Sequence, residues 1–118
     1  MSLYKNYYII AGYDLTGHAT EKYEDWRWTD EGEQYLCYQR KGNIQLFDDP
    51  ANGDHLYLGY ILAHGDQYEF RTTNIEINKI DNLHMITKAH LQKLIDLGVI
   101  DDCTKDITYQ VFAFEEVS

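Results

Sequence analysis

The stretch HLYLGYILA, residues 55–63, constrains the fold more than any other part of the sequence. Side chains along a β-strand alternate between the two faces of a sheet, so Leu56 and Leu58 point to one face while Tyr57 and Ile61 point to the other. Neither set is polar, whereas a strand with one solvated face alternates apolar and polar residues. The pattern therefore predicts a central strand, with a neighbour on each side and packing against both faces.

Other runs between turn-forming residues predict the remaining strands of the sheet. These runs cover residues 4–13, 23–28, 34–39, 43–47, 67–73 and 107–115. Gly42 lies between two of them and predicts a hairpin turn at residues 40–42, while residues 64–66 predict a second turn. The apolar phase changes near Thr73 and Asn74, which indicates a bulge or bend.

One amphipathic helix is predicted near residues 82–97. Its apolar stripe has helical i, i+3, i+4, i+7 spacing and consists of Leu91, Leu94, Ile95 and Gly98. Either Thr87, with a start at Lys88, or Asp81 is the expected N-cap, and Gly98 is the expected residue just beyond the last turn. We therefore expect a single α+β domain over residues 1–118, a mainly antiparallel sheet of about five to seven strands with this helix packed on it.

The charge of the chain limits its partners. Its 118 residues include 10 basic and 20 acidic side chains, for a formal charge of −10, and the acids are spread along the whole length. Nucleic-acid binding needs a basic surface that neutralises phosphates, so we expect no direct contact with nucleic acid. An acidic surface keeps a protein soluble or attracts a basic partner.

The sequence also predicts where the protein resides. No apolar run approaches the roughly 20 residues that cross a bilayer, and the first residues lack the pattern of a cleaved signal peptide. We expect no membrane association. Two cysteines, Cys37 and Cys103, cannot form a disulfide framework, so we expect both to be reduced in a cytoplasmic protein; one bridge between them is the alternative.

Motifs for catalysis are incomplete. Residues 12–17 have the spacing of a phosphate-binding loop, but His18 and Ala19 stand where that loop needs Lys followed by Ser or Thr. Serine occurs only near the two ends of the chain, which excludes serine catalysis. Cys37 lies in a predicted strand, and Cys103 follows two aspartates whose charge would raise its pKa if they lie close. We expect a protein that is not an enzyme and carries no cofactor.

A turn-rich stretch, residues 48–54, collects oxygen ligands that a hard cation would use. An EF-hand register fails, because Pro50 and Gly59 would occupy two of its ligand positions. The alternative function is a small-molecule or metal-binding domain, or a small enzyme, that uses this loop with His55 or His64. The candidate metal ligands are Asp48, Asp49, Asp54 and His55.

Five histidines offer further ligands for a transition metal. No two have the i, i+4 spacing of a helical zinc motif. His84 and His90 are six residues apart, so on a continuous helix they would point to different sides. A site assembled from separate loops stays open.

The segment EKYEDWRWTDEGE, residues 21–33, is the strongest candidate for a binding surface. It combines six acids with Trp, Tyr and Arg, the residue types most enriched at binding hot spots. On the predicted strand 23–28, Trp26 and Trp28 would share a face. Two alternatives are that both tryptophans are core residues holding the segment against the sheet, and that they form a platform for a sugar or another small ligand. The candidate contact residues are Tyr23, Glu24, Asp25, Trp26, Arg27 and Trp28.

These observations predict a small acidic protein that works without catalysis, by contact with another macromolecule. It would offer carboxylates to a basic protein partner, as an accessory or inhibitory factor. The composition is similar to that of phage and mobile-element accessory proteins. Two copies could also pair through an exposed edge of the aromatic sheet.

Overall fold

The computed structural model describes five stretches of the chain in which eight elements are defined. The described residues are 5–36, 44–49, 55–66, 68–72 and 77–117. The elements are β1 (Lys5–Asp14), α1 (Tyr23–Trp26), α2 (Asp30–Tyr35), β2 (Gln45–Asp49), β3 (His55–Asp66), β4 (Phe70–Thr72), α3 (Ile77–Asp96) and β5 (Gln110–Val117).

The strands form one antiparallel sheet with helices, which confirms the α+β class. Its continuous order is β2-β3-β1-β5, and β4 pairs with the far end of β3. The prediction of five to seven strands is confirmed only in part. The continuous path has four strands, and the further strand β4 is only three residues long. Strands β2 and β5 end this order, and pairing of two copies through an exposed edge of the sheet stays a prediction.

Strand β3 is central, as the sequence predicts. It pairs with β1 on one side and with β2 on the other, and none of its residues is fully exposed. Leu56 and Leu58 belong to the hydrophobic cluster that also contains Leu91 and Leu94 of α3. The opposite face carries a second cluster of Tyr8, Ile10 and Phe47, on which Tyr57 and Ile61 pack. Both faces of β3 therefore carry apolar packing, and on the second face Tyr57 and Ile61 are partly buried.

The predicted turn at residues 64–66 is wrong, because β3 continues through them to Asp66. The chain reverses one step later, where the Asp66 carboxylate accepts hydrogen bonds from the backbone N–H groups of Tyr68 (2.7 Å) and Glu69 (2.8 Å). An aspartate that binds its own backbone two residues on forms such a turn without glycine. Strand β4 then pairs antiparallel with residues 63–65, which confirms the predicted fold-back. The predicted bend at residues 73–74 lies outside the described residues.

Helix α3 begins earlier than predicted, at Ile77. Asp81 and Thr87 are therefore inside the helix, and neither is its N-cap. Thr87 is fully buried, and its hydroxyl donates a hydrogen bond to the Leu83 carbonyl oxygen (2.6 Å), the partner that a mid-helix threonine finds within its own helix. In the sequence, Ile77 and Ile80 are three residues apart and extend the helical period of α3 toward its start. The sequence of residues 75–77 also fits the two-residue period of a strand.

The predicted end of α3 is confirmed. Gly98 has a positive φ of 78°, the left-handed conformation that suits glycine. Its N–H donates to the Ile95 carbonyl oxygen (2.9 Å), and the Val99 N–H reaches back to that of Leu94 (3.2 Å). None of the helices in the described stretches is both long and apolar enough to cross a bilayer.

The predicted strands at 23–28 and 34–39 are wrong where they are described, because α1 and α2 lie there. Thr29 is the N-cap of α2: it has an extended backbone, and its hydroxyl accepts the Gly32 N–H (3.2 Å). The first turn of α2 holds three acids, which the positive end of the helix dipole favours. The predicted hairpin turn at 40–42 and Cys37 lie outside the described residues.

Candidate functional site

The predicted contact segment contains two tryptophans with opposite environments. Trp26 is 9% exposed and belongs to the main hydrophobic cluster, where its ring lies 6.0 Å from that of Tyr23. Trp28 is 68% exposed. The expectation of a shared face is therefore wrong, because a helical turn replaces strand alternation. The alternative in which both tryptophans are core residues holds for Trp26 alone.

The Arg27 side chain contacts both the largely buried Asp48 and the exposed Trp28. Its Nη1 lies 3.0 Å from Asp48 Oδ2 of β2, and both side chains are largely buried. The Tyr23 hydroxyl donates a second hydrogen bond to the same carboxylate oxygen, at 3.0 Å. On the outer side, the guanidinium carbon lies 5.2 Å from the centre of the Trp28 ring, within cation–π range. Asp48 thus fixes Arg27, and Arg27 supports the exposed indole.

Several acidic residues lie close to Trp28 in the sequence. We name the exposed residues Glu24, Asp25, Trp28 and Asp30 the Trp28 surface. Arg27 is next to Trp28, but its guanidinium pairs at 3.0 Å with the largely buried carboxylate of Asp48, which offsets the positive charge. The Glu24 carboxylate lies farther from the same Arg27 Nη1, at 3.9 Å. The surface therefore combines a large apolar side chain with exposed carboxylates, of which Glu24 also pairs with Arg27, and this arrangement can contact a cationic group.

Of the predicted metal ligands, the two whose side chains the structure describes, Asp48 and His55, are not brought together. Asp48 points to the helix side of the sheet, toward Tyr23 and Arg27. His55 lies on the opposite face, stacked on Tyr57 at 4.7 Å and with its Nε2 3.8 Å from Glu116 Oε1. Asp49 is opposite His55 in the β2–β3 register, although its side chain is not described. Asp54 lies outside the described residues.

His64, the other histidine of the alternative hypothesis, lies on the same face as His55. Its ring stacks on Tyr8 with centroids 4.6 Å apart, and its Nε2 lies 3.3 Å from Asn6 Oδ1. Both histidines are therefore parts of the aromatic layer on this face of the sheet.

His84 and His90 of α3 contact different core tyrosines, as their spacing predicts. His84 Nε2 lies 3.0 Å from the Tyr13 hydroxyl, and His90 Nδ1 lies 2.7 Å from that of Tyr35. Burial, with a smaller effect from Lys93, lowers the pKa of His90 below its ordinary value of 6.5. The His90 ring and the Tyr35 hydroxyl therefore form a hydrogen-bonded pair, and the two rings also meet edge to face at 5.5 Å.

Sequence reasoning did not identify a cluster where two distant loops meet. His18 follows β1, whereas Asp101 and Cys103 precede β5, yet ligand atoms of all three lie within 4.8 Å of one another. Residues 12–17 form no phosphate-binding loop, since the His18 N–H closes a turn onto the Leu15 carbonyl oxygen (2.9 Å). The only sequence feature that pointed to this cluster was the pair of acids before Cys103. That pair gives no information about His18, which is 83 residues from Asp101 along the chain.

Cys103 is fully buried and has a free thiol. Burial first, and then the charge of Asp101, raise the pKa of this thiol. The predicted direction of the shift is confirmed, and the larger cause is burial. A neutral buried thiol is a poor nucleophile, so the metal-free protein offers no activated cysteine at this position.

No protein-family model, curated protein or solved structure matches the chain.

Proposed function

We propose that the protein acts in the cytoplasm, without catalysis, by binding a basic protein partner through the Trp28 surface, as an accessory or inhibitory factor. The observation that carries the proposal is the exposure of Trp28, 68%, beside an arginine that is itself fixed from the core. The buried free Cys103 is in keeping with a reducing compartment.

An exposed tryptophan is a ready source of binding energy. Burial of apolar surface is worth roughly 25 cal/mol per Å², and tryptophan is among the largest side chains that can be buried. A contact that immobilises a free side chain loses about 0.5–1.5 kcal/mol to entropy. Because Arg27 lies 5.2 Å from the Trp28 ring and is held by Asp48, part of this ordering exists before the partner arrives.

The acids select the charge of the partner. Glu24, Asp25 and Asp30 are exposed on a chain whose formal charge is −10. A basic surface would be attracted over about one Debye length, roughly 8–10 Å at physiological salt, and would associate faster at low salt. Nucleic acids carry the same sign of charge as this surface and are repelled.

Trp28→Ala is expected to weaken capture of the partner at least about tenfold, as removal of a central hot-spot side chain does. The measurement is quantitative comparison of proteins retained by immobilised wild type and variant from cells that encode the chain, followed by titration with the purified retained protein. The free energy of unfolding should change by less than about 0.5 kcal/mol, because Trp28 is mostly in water.

The matched control is Tyr68→Ala, since Tyr68 is an aromatic residue with 81% exposure in the β3–β4 turn. It should leave capture unchanged. A second pair compares Glu24→Lys with Asp106→Lys, both exposed acids, and only the first should clearly reduce the salt-sensitive part of binding. If every retained protein binds all variants equally, at low and high salt, the proposal is wrong.

A further inference from the structure

We propose that His18, Asp101 and Cys103 form a binding site for a zinc-like divalent cation. The three side chains offer an imidazole nitrogen, a carboxylate oxygen and a sulfur, all within 4.8 Å of one another. This site is separate from the Trp28 surface and does not depend on the proposed function.

Backbone hydrogen bonds join the two loops that carry these side chains. Ala19 and Ile100 form an isolated antiparallel bridge, and the Asp101 N–H donates to the His18 carbonyl oxygen at 2.9 Å. Thr20 adds a bond from its N–H to the Val99 carbonyl oxygen, also at 2.9 Å. The candidate ligands are thus positioned by a paired backbone, and their approach does not depend on a chance meeting of surface side chains.

The distances are close to those of a tetrahedral site. Zinc binds nitrogen and oxygen at about 2.0–2.2 Å and sulfur at about 2.3 Å, which puts tetrahedral ligand atoms roughly 3.4–3.6 Å apart. His18 Nδ1 and Asp101 Oδ1 lie 2.9 Å apart in a hydrogen bond, and no two ligand atoms of the three residues are farther apart than 4.8 Å. The Asp101 side chain is half-exposed, so it is free to rotate and open the first of these distances.

The chemistry of the three ligands selects the type of cation. Calcium and magnesium prefer all-oxygen sites, whereas thiolate and imidazole suit zinc and its substitute cobalt. A coordinated thiol is deprotonated by the cation, so burial of Cys103 in the metal-free protein does not prevent binding. Three protein ligands leave the fourth tetrahedral position for water, on the side where His18 and Asp101 reach solvent.

Cobalt titration of the full chain in a Cys37→Ser background tests the site with a direct readout of sulfur ligation. We expect one Co²⁺ per chain, a thiolate-to-cobalt charge-transfer band in the near ultraviolet, and loss of that band when Zn²⁺ is added. His18→Gln should weaken the apparent affinity at least about 100-fold, beyond the 10–100-fold typical of residues that only orient a ligand. Asp102→Asn, at an exposed acid next to the site, is the matched control and should bind as the parent does.

Cys103→Ser removes the sulfur from a buried position and could unfold the chain, so His18→Gln and Asp101→Asn at more exposed positions keep the test informative. Zn²⁺ should raise the unfolding temperature of the Cys37→Ser protein and leave those two variants unaffected. Absence of the charge-transfer band in the Cys37→Ser protein, or an equal band in His18→Gln, would show that these residues are an ordinary hydrogen-bonded pair beside a core cysteine. Trp28→Ala should bind cobalt normally, which separates this inference from the proposed function.

Discussion

Gly12→Ala is expected to lower the free energy of unfolding by at least about 3 kcal/mol, a large loss for the addition of one methyl group. Gly12 of β1 is opposite Gly59 of β3 in the register of the two central strands. A Cβ atom at Gly12 would collide with the Leu58 carbonyl oxygen and would lie 2.6 Å from the Gly59 Cα. Both obstacles are backbone, so relief requires the two strands to separate.

Urea unfolding measures this loss as a fall in midpoint at unchanged slope. The matched control is Gly98→Ala, the same substitution at a residue with positive φ, where a Cβ would meet only the flexible end of Lys22 at 3.6 Å. Its expected cost is about 1–2 kcal/mol, from the left-handed conformation alone. A Gly12→Ala protein within about 1 kcal/mol of wild type would mean that the two strands do not approach as described.

Asp48→Ala is expected to destabilise the protein by about 2–4 kcal/mol. Removing one partner of a buried ion pair costs about 3–5 kcal/mol, and a somewhat smaller figure applies because the side chains of Asp48 and Arg27 are 12% and 19% exposed. The substitution also removes the acceptor of the Tyr23 hydroxyl at 3.0 Å. A charged guanidinium would then remain against the core without its carboxylate.

Three comparisons make this prediction specific. Asp48→Asn keeps an acceptor for Tyr23 and should cost less than Asp48→Ala. Glu31→Ala breaks the exposed pair with Lys93, which is also 3.0 Å long, and should change stability by less than about 0.5 kcal/mol. In a double-mutant cycle with Arg27→Ala, the coupling energy should exceed about 1 kcal/mol; a coupling near zero would contradict the role given to this pair.

The same ion pair bears on the Trp28 surface. Because Arg27 lies between Asp48 and the Trp28 ring, loss of the ion pair should weaken partner capture even at temperatures where the variant remains folded. Stability and binding would thus fall together in Asp48→Ala, whereas Trp28→Ala affects binding alone.

The central strand could be predicted from sequence because its apolar residues occupy both phases of a two-residue period. Such a pattern needs apolar packing on both faces, and β3 has a hydrophobic cluster on each. The end of α3 was predictable for a similar reason, since Gly98 follows directly on a helical apolar stripe. In both places, local sequence and tertiary environment require the same conformation.

Sequence alone predicted strands where the chain forms the helices α1 and α2. Trp26 and Trp28 fit strand alternation, but Thr29 caps a helix that contains Gly32, a residue that no helical propensity favours. A Cβ at Gly32 would lie 2.7 Å from the Arg27 Cα and would also meet the Trp26 carbonyl oxygen, so close packing of α1 and α2 is what this glycine permits. Tertiary contact of this kind leaves no periodic trace in a sequence.

The cluster of His18, Asp101 and Cys103 illustrates a second limit. Its members come together because the chain returns along the sheet and two loops pair at Ala19 and Ile100. Ligand spacing along the chain reveals a metal site only when one helix or one loop supplies the ligands. The sequence left open a site assembled from separate loops but could not name its residues.

Acrylamide quenching of two single-tryptophan variants measures whether Trp26 is enclosed and Trp28 is exposed, the difference on which the proposed function depends. In Trp26→Phe, the remaining Trp28 should emit at long wavelength and be quenched nearly as efficiently as free tryptophan. In Trp28→Phe, the remaining Trp26 should emit at shorter wavelength and resist the quencher. A protected, blue-shifted Trp28 in the isolated protein would contradict the account, since that side chain would then be part of the core and could not serve as the contact surface.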